Sequence, residues 1–455
     1  MKENKMGYEP IPRLLIQMSL PIALSMLVQA LYNIVDSVWV SRIGEDALAA
    51  VSMAFPLQLL INALSIGIGV GMNALLSRSL GERNVKKANL TAQTGAFLML
   101  VTSALFAVGG VAVAPSLIGM QTADPGIYAD GVSYLRICFL FSFGLFGQIY
   151  MERLLQSTGR AVLSMYTQIF GAVLNMVLDP ILIFGLGPFS PMGVDGAAIA
   201  TVSSQISALL LGFYLNVKKN PELELAQPGF RLNADIIKSI LAVGIPSAIM
   251  MSVNSFSMFL INAMLAVFGS TAIVAYGVYF KVQSFVFMPI FGLNNGMIPV
   301  IAYNYGAGYR TRIYEIIRIA YKAATVIMVL GFLAFQFFSP QLIGFFDPSP
   351  QLLEIGVTAF RIISFSFIFA GISIISSAVF QSLGNGILSM IVNLIRQLVL
   401  IIPLVFVLSR TGVLANVWFA YPAAELFTMG IAIFFMRKID QAKIRNLEPI
   451  EEPEA

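Results

Sequence analysis

Runs of about 20 apolar residues recur along this chain, each long enough to carry an α-helix across the roughly 30 Å hydrocarbon core of a bilayer. Bounded by Gly, Pro and charged clusters, they place spans near 14–40, 51–76, 90–115, 127–152, 161–186 and 194–217. Six more fall near 236–267, 273–301, 317–338, 352–378, 387–408 and 413–436. With 58% hydrophobic residues, 11% charged residues and a mean hydropathy of +0.84, the chain offers more apolar surface than a soluble core absorbs. Lipid-exposed backbone must satisfy its own hydrogen bonds, so the expected fold is all-α and polytopic, with twelve transmembrane helices.

The charged residues follow this topology. With both termini in the cytoplasm, 21 of the 27 Lys and Arg lie in inner segments or adjoining span ends, against Arg42 and Arg410 in outer loops. The net charge of +4 therefore reflects membrane orientation, not a nucleic-acid partner. The N-terminus is charged and lacks a small-residue cleavage site, so the first span is read as retained. The lone Cys138 excludes an intrachain disulfide. Because there is no His, a proton carried through this chain must ride on a carboxylate, not an imidazole.

The two halves align at a constant offset of 225 residues. Pro21 meets Pro246, Gly67 meets Gly292, Gly71 meets Gly296, Arg136 meets Arg361, Gln156 meets Gln381 and Gly159 meets Gly384. Each half holds an even number of spans, so the halves enter the membrane in the same direction, as two pseudo-equivalent six-helix bundles. The expected organisation is an N-terminal lobe at 1–218, a Pro-containing linker at 219–235, a C-terminal lobe at 236–437 and a polar tail at 438–455. Gly67 with Gly71, and Gly292 with Gly296, form Gly-x-x-x-Gly pairs that let helix backbones approach closely.

Intramembrane acids point to function, because an ionised carboxylate at mid-span costs about 2.5–3.5 kcal/mol or more unless paired or hydrated. Asp36 sits near the outer end of span one and Asp179 lies in span five, at depths that differ by about one helical turn. Asn175 shares the helix face of Asp179, and Thr201 enters span six at a similar depth. Four oxygen-bearing side chains at one level suit either a hard cation such as sodium or a shared proton. Pro180 removes a backbone donor beside Asp179 and is expected to bend the helix there. Gln29, Tyr32 and Asn33 on span one, and Gln168 on span five, extend polar stripes suited to lining a cavity. The second half does not copy the acids: Ile261 stands opposite Asp36 and Leu404 opposite Asp179. Lys281 and Arg396 fall inside second-half spans, where cavity and interfacial roles are both open.

The segments LDPILIFG and GVDGAAIAT, the run IPVIAYNYGAG, the loop RSLGERNVKKA and Asp36 together resemble the multidrug and toxic compound extrusion (MATE) family over nearly the whole chain. The resemblance implies alternating-access export of organic cations and drugs in exchange for protons or sodium. Asp36, Asn175, Asp179 and Thr201 match that family's first-lobe ion site, with Gln29 and Tyr32 on the nearby cavity face. It further implies a monomer in a cell membrane, in bacteria the inner one, with no cofactor beyond a coupling ion. The alternative is a flippase for a lipid-linked precursor or polysaccharide, whose expected basic cavity residues are scarce here. A major-facilitator carrier is disfavoured by the loop after span two, and an enzyme by the want of a nucleophile, metal cluster or nucleotide loop.

Overall fold

A computed structural model describes residues 4–224 and 232–447, and among them every regular element is helical. Among the described residues, eleven helices are long and apolar enough to cross a membrane, and one bent pair is so when taken together, which makes up to twelve. In chain order these are α1 (Ile11–Ser41), α2 (Glu45–Gly81), α3 (Val85–Gly119), α4 (Pro125–Leu140 with Ser142–Ser157, bent by 45°), α5 (Ala161–Phe184) and α6 (Gly193–Lys219). The second set is α7 (Ala234–Phe268), α8 (Ser270–Ala307), α9 (Arg310–Phe337), α10 (Pro350–Ser382), α11 (Gly386–Ser409) and α12 (Leu414–Ile444).

Local chemistry sets several of the ends. The Asp124 side chain accepts from the backbone of Gly126 and Ile127 to start α4, with Pro125 at its first position. Ser349 does the same for Leu352 ahead of Pro350 at the start of α10. Between α4 and α5, and again between α10 and α11, the chain turns through Gly159 (φ 80°) and Gly384 (φ 77°), repeat partners in the left-handed region where a Cβ is penalised. Helices exceed their apolar runs: α2 has 37 residues and α8 has 38, since hydrogen-bonded turns continue past the hydrocarbon into polar sequence.

Packing divides the chain into two compact units, one from Leu24 to Ala248, the other combining residues up to Ala23 with everything from Ile249 onward. These limits depart from the expected 1–218 and 236–437. Each division falls just past a helix-interior proline, Pro21 in α1 and Pro246 in α7. In the first unit, a Cβ on Gly67 would lie 2.5 Å from the Gly244 carbonyl oxygen, and one on Gly71 would overlap that of Ile240. In the second, Cβ atoms on Gly292 and Gly296 would press on the backbone of Ala23 and Ser19, 2.9 and 2.8 Å from their Cα atoms. The bare glycine faces of α2 and α8 thus seat the early segments of α7 and α1, which is why those segments group with the opposite repeat. Of the expected linker, Leu223 is buried and the Glu224 amide donates to Asn89 at 3.1 Å, while 225–231 lie outside the described residues. The expected polar tail begins as helix, with Ile439 and Ile444 buried, and 448–455 lie outside the described residues.

The chain's first turn belongs to the second unit. Met6 is fully buried, Asn304 donates to its carbonyl at 2.9 Å, and Arg312 donates to the Glu9 carbonyl at 2.8 Å and to Asn304 Oδ1 at 3.1 Å. Asn304→Ala removes the shorter of two hydrogen bonds to the Met6 carbonyl, which keeps Arg312 Nη2 at 3.4 Å, and also removes the Oδ1 that accepts from Arg312 Nε, so a loss of roughly 1–3 kcal/mol is expected, together with protease access to residues 4–10. Thermal unfolding in detergent and limited proteolysis check this.

Candidate ion-coupling site

Within the first unit, the later part of α1 packs with α5 and α6 around a buried polar cluster. Trp39 of α1 meets Phe184 of α5 edge-on, ring centroids 6.1 Å apart, and the Arg42 guanidinium covers the Trp39 ring at 4.8 Å. This contact fixes the end of α1 one turn beyond Asp36 and so sets Asp36 against α5. Asp179 is completely buried, Asn175 is 1% exposed and Thr201 is 7% exposed.

Hydrogen bonds tie these residues together. Of the two orientations of the Asn175 amide, one donates to Asp179 Oδ2 at 2.9 Å and accepts from the Thr201 backbone N–H at 3.2 Å. The other sets the amide oxygen against the carboxylate, acceptor facing acceptor, for a single 3.4 Å contact to Thr201 Oγ1. The first satisfies both ends and is the one adopted. The Tyr32 hydroxyl lies within hydrogen-bonding reach of Thr201, and the Asp36 and Asp179 carboxyl groups lie within hydrogen-bonding reach of each other. Asp36 Oδ1 is buried with no donor.

Two carboxylates cannot hydrogen-bond each other when both are ionised, since each is then only an acceptor. Their approach requires a proton shared between them or a cation drawing both in. The Tyr32 and Thr201 hydroxyls supply hard oxygen atoms beside them, of the type that suits sodium. No group of three His, Cys, Asp or Glu that would hold a metal ion occurs among the described residues.

The structure thus brings together Tyr32, Asp36, Asn175, Asp179 and Thr201. Pro180 follows Asp179 inside α5, which runs as one helix from Ala161 to Phe184. Gln29 and Asn33 are exposed on α1. Gln168 turns instead to a buried acid: its Nε2 donates to Glu152 Oε2 at 2.6 Å, and Gln148 Nε2 donates to Glu152 Oε1 at 2.9 Å. Glu152 is 4% exposed. Sequence reasoning passed over it because the fourth apolar run ends at residue 152, whereas helix α4 continues to Ser157. Its two neutral donors would have been visible only by pairing Gln168 with a residue of another helix. A further neighbourhood also went unread. Gln58 Nε2 donates to the Tyr134 hydroxyl at 3.0 Å and to Cys138 Sγ at 3.5 Å. Arg396 takes neither a cavity nor an interfacial role alone: it is ion-paired to Glu425 at 2.9 Å in the second unit.

A family model described as MatE matches residues 21–181 and again 246–407, so its two matches begin at the repeat-partner prolines. The FAD transporter of Shewanella oneidensis is 30% identical, over 97% of this chain and 96% of its own. Multidrug export protein MepA of Staphylococcus aureus is 25% identical, over 99% of this chain and 100% of its own. Among solved structures, the outward-facing conformation of a multidrug resistance MATE family transporter superposes with a TM-score of 0.91 at 25% identity, covering 98% of this chain and 99% of that one.

Proposed function

This chain belongs to the MATE family of membrane transporters, and from that premise we propose that it is a secondary antiporter exporting organic cations and drugs in exchange for protons or sodium. The observation that carries the reading is the approach of Asp36 to Asp179, backed by Asn175, Thr201 and Tyr32, inside a membrane-spanning unit. Buried carboxylates kept at this energetic cost need an ion that comes and goes. Taking up a proton or sodium cancels the charge that would hold a cationic cargo, so ion and cargo exclude each other. That exclusion is the differential affinity that alternating access requires. Pro180 supports the same reading: with no N–H to offer the Met176 carbonyl, α5 is weakest one residue from the acid whose charge changes.

The test reconstitutes the full chain in liposomes and follows efflux of a fluorescent organic cation while pH and sodium gradients are imposed independently. Efflux should accelerate with one inward gradient and collapse when that gradient is dissipated. Efflux indifferent to both gradients would overturn antiport. The named activity of the Shewanella relative favours a second cargo reading, a flavin nucleotide. FAD loaded in place of the cation decides it: gradient-driven loss of FAD supports that cargo, and retention refutes it.

A further inference from the structure

Among the described residues, the second unit carries one acid in the middle of a span. Glu425 of α12 is 5% exposed, its Oε1 accepts from Arg396 Nη1 at 2.9 Å, and its Oε2 is buried with no donor. Glu425 stands eleven residues from Leu414 and Arg396 ten from Gly386, so each lies about 15 Å along its helix. The other acids described in this unit, Glu9, Glu315, Asp347, Glu354 and Asp440, lie outside the spans or within five residues of a span end.

At the 225-residue offset, α11 and α12 are the repeats of α5 and α6, the helices that carry Asp179 and Thr201. Glu425 matches Ala200, the neighbour of Thr201, and Arg396 matches Gly171, two turns before Asp179. The positions of Asp36 and Asp179 themselves hold Ile261 and Leu404. So the helix pair that surrounds an acid cluster in the first unit surrounds an acid and a guanidinium in the second. Oxygen atoms are again close: Tyr421, one turn before Glu425 on α12, donates its hydroxyl to that of Tyr276 at 2.5 Å. Arg396 sits in a π-helical stretch, Ile395–Ile401, a wide turn of the kind that proteins keep at working positions.

We propose that Arg396 is a tethered cation that fills, in the second unit, the place an exchanged ion takes in the first, and so holds Glu425 as a silent second ion site. A guanidinium stays charged under all physiological conditions and cannot leave its helix. Another cation reaches Glu425 only if the pair breaks, which strands two charges in an apolar unit. The chain therefore exchanges ions at the first unit alone. This rests on the antiport reading above and adds to it the number of coupling sites and the residue that sets it.

The experiment measures ions moved per organic cation, from the reversal of flux at balanced gradients, in liposomes holding the full chain. Glu425→Gln should leave the ratio at the wild-type value, because Glu425 carries no exchanged ion. Arg396→Ala should raise it by one, because the freed carboxylate takes up a proton or sodium. The double variant R396M/E425M, apolar at both positions, should return it to the wild-type value. A ratio lowered by one in E425Q, an unchanged ratio in monodisperse, helical R396A, or loss of coupled flux in the folded double variant would each overturn the inference. Should R396A fail to fold, the other two variants decide. Wild-type protein without gradient-driven flux would overturn the antiport reading instead, a result distinct from any of these.

Discussion

Asp179→Asn is expected to cut gradient-driven export at least about tenfold, the effect of losing some 1.4 kcal/mol of ion binding, while leaving the protein at least as stable as before. The asparagine keeps the size and one acceptor of the side chain, so Asn175 and Thr201 retain their contacts. What it removes is the charge that draws a proton or sodium between α1 and α5. Because an unpaired carboxylate costs about 2.5–3.5 kcal/mol at mid-span, its removal should not lower the melting temperature in detergent. Asp36→Asn should behave in the same way, and the double variant should do little further harm, since the two acids act as one site. Export retained in full by either single variant would remove the site from the mechanism; lost export with a lowered melting temperature would make its role structural.

Gly71→Leu and Gly296→Leu are expected to prevent accumulation of folded protein, with the alanine variants already costing about 1–3 kcal/mol or more. A side chain at Gly71 must displace the Ile240 carbonyl, and one at Gly296 the Ser19 backbone, and neither obstacle is a flexible side-chain tip that can swing away. Gly277 and Gly430, by contrast, have open space around an added Cβ. Alanine there should be neutral or stabilising by up to about 1 kcal/mol through helix propensity. Fluorescence-detected size exclusion after heating compares all four. If the Gly71 and Gly277 variants melt alike, close backbone approach does not hold α2 to the early part of α7.

Much of this was readable from the linear chain. The twelve spans follow from runs of apolar residues, and the repeat from matched Gly and Pro at one offset, with Gly159 and Gly384 now sharing a left-handed turn. Asp36, Asn175, Asp179 and Thr201 could be named because helical rise converts position into depth, and few acids lie deep. Gln168 was assigned to the same stripe as Asp179, and there the reasoning reached its limit. Shared phase on one helix says which way a side chain faces, but the group it faces belongs to another helix, and Glu152 was hidden by a span edge drawn at the last apolar residue. Arg396 and Glu425 are 29 residues apart, a spacing that carries no pairing signal.

The sequence by itself determined that the chain carries eleven or twelve helices able to span a membrane, that it is built twice, and which acids fall inside those helices, because hydropathy, chain rise and repeat offset are properties of neighbouring residues. The tertiary structure decided the rest: that Asp36 and Asp179 come within hydrogen-bonding reach, that Glu152 is held by two amides and Glu425 by a guanidinium, and that α1 and α7 each divide between units just beyond a proline. Those outcomes depend on how each helix is rotated and on which backbones glycine lets close together, and both are fixed only when distant segments pack.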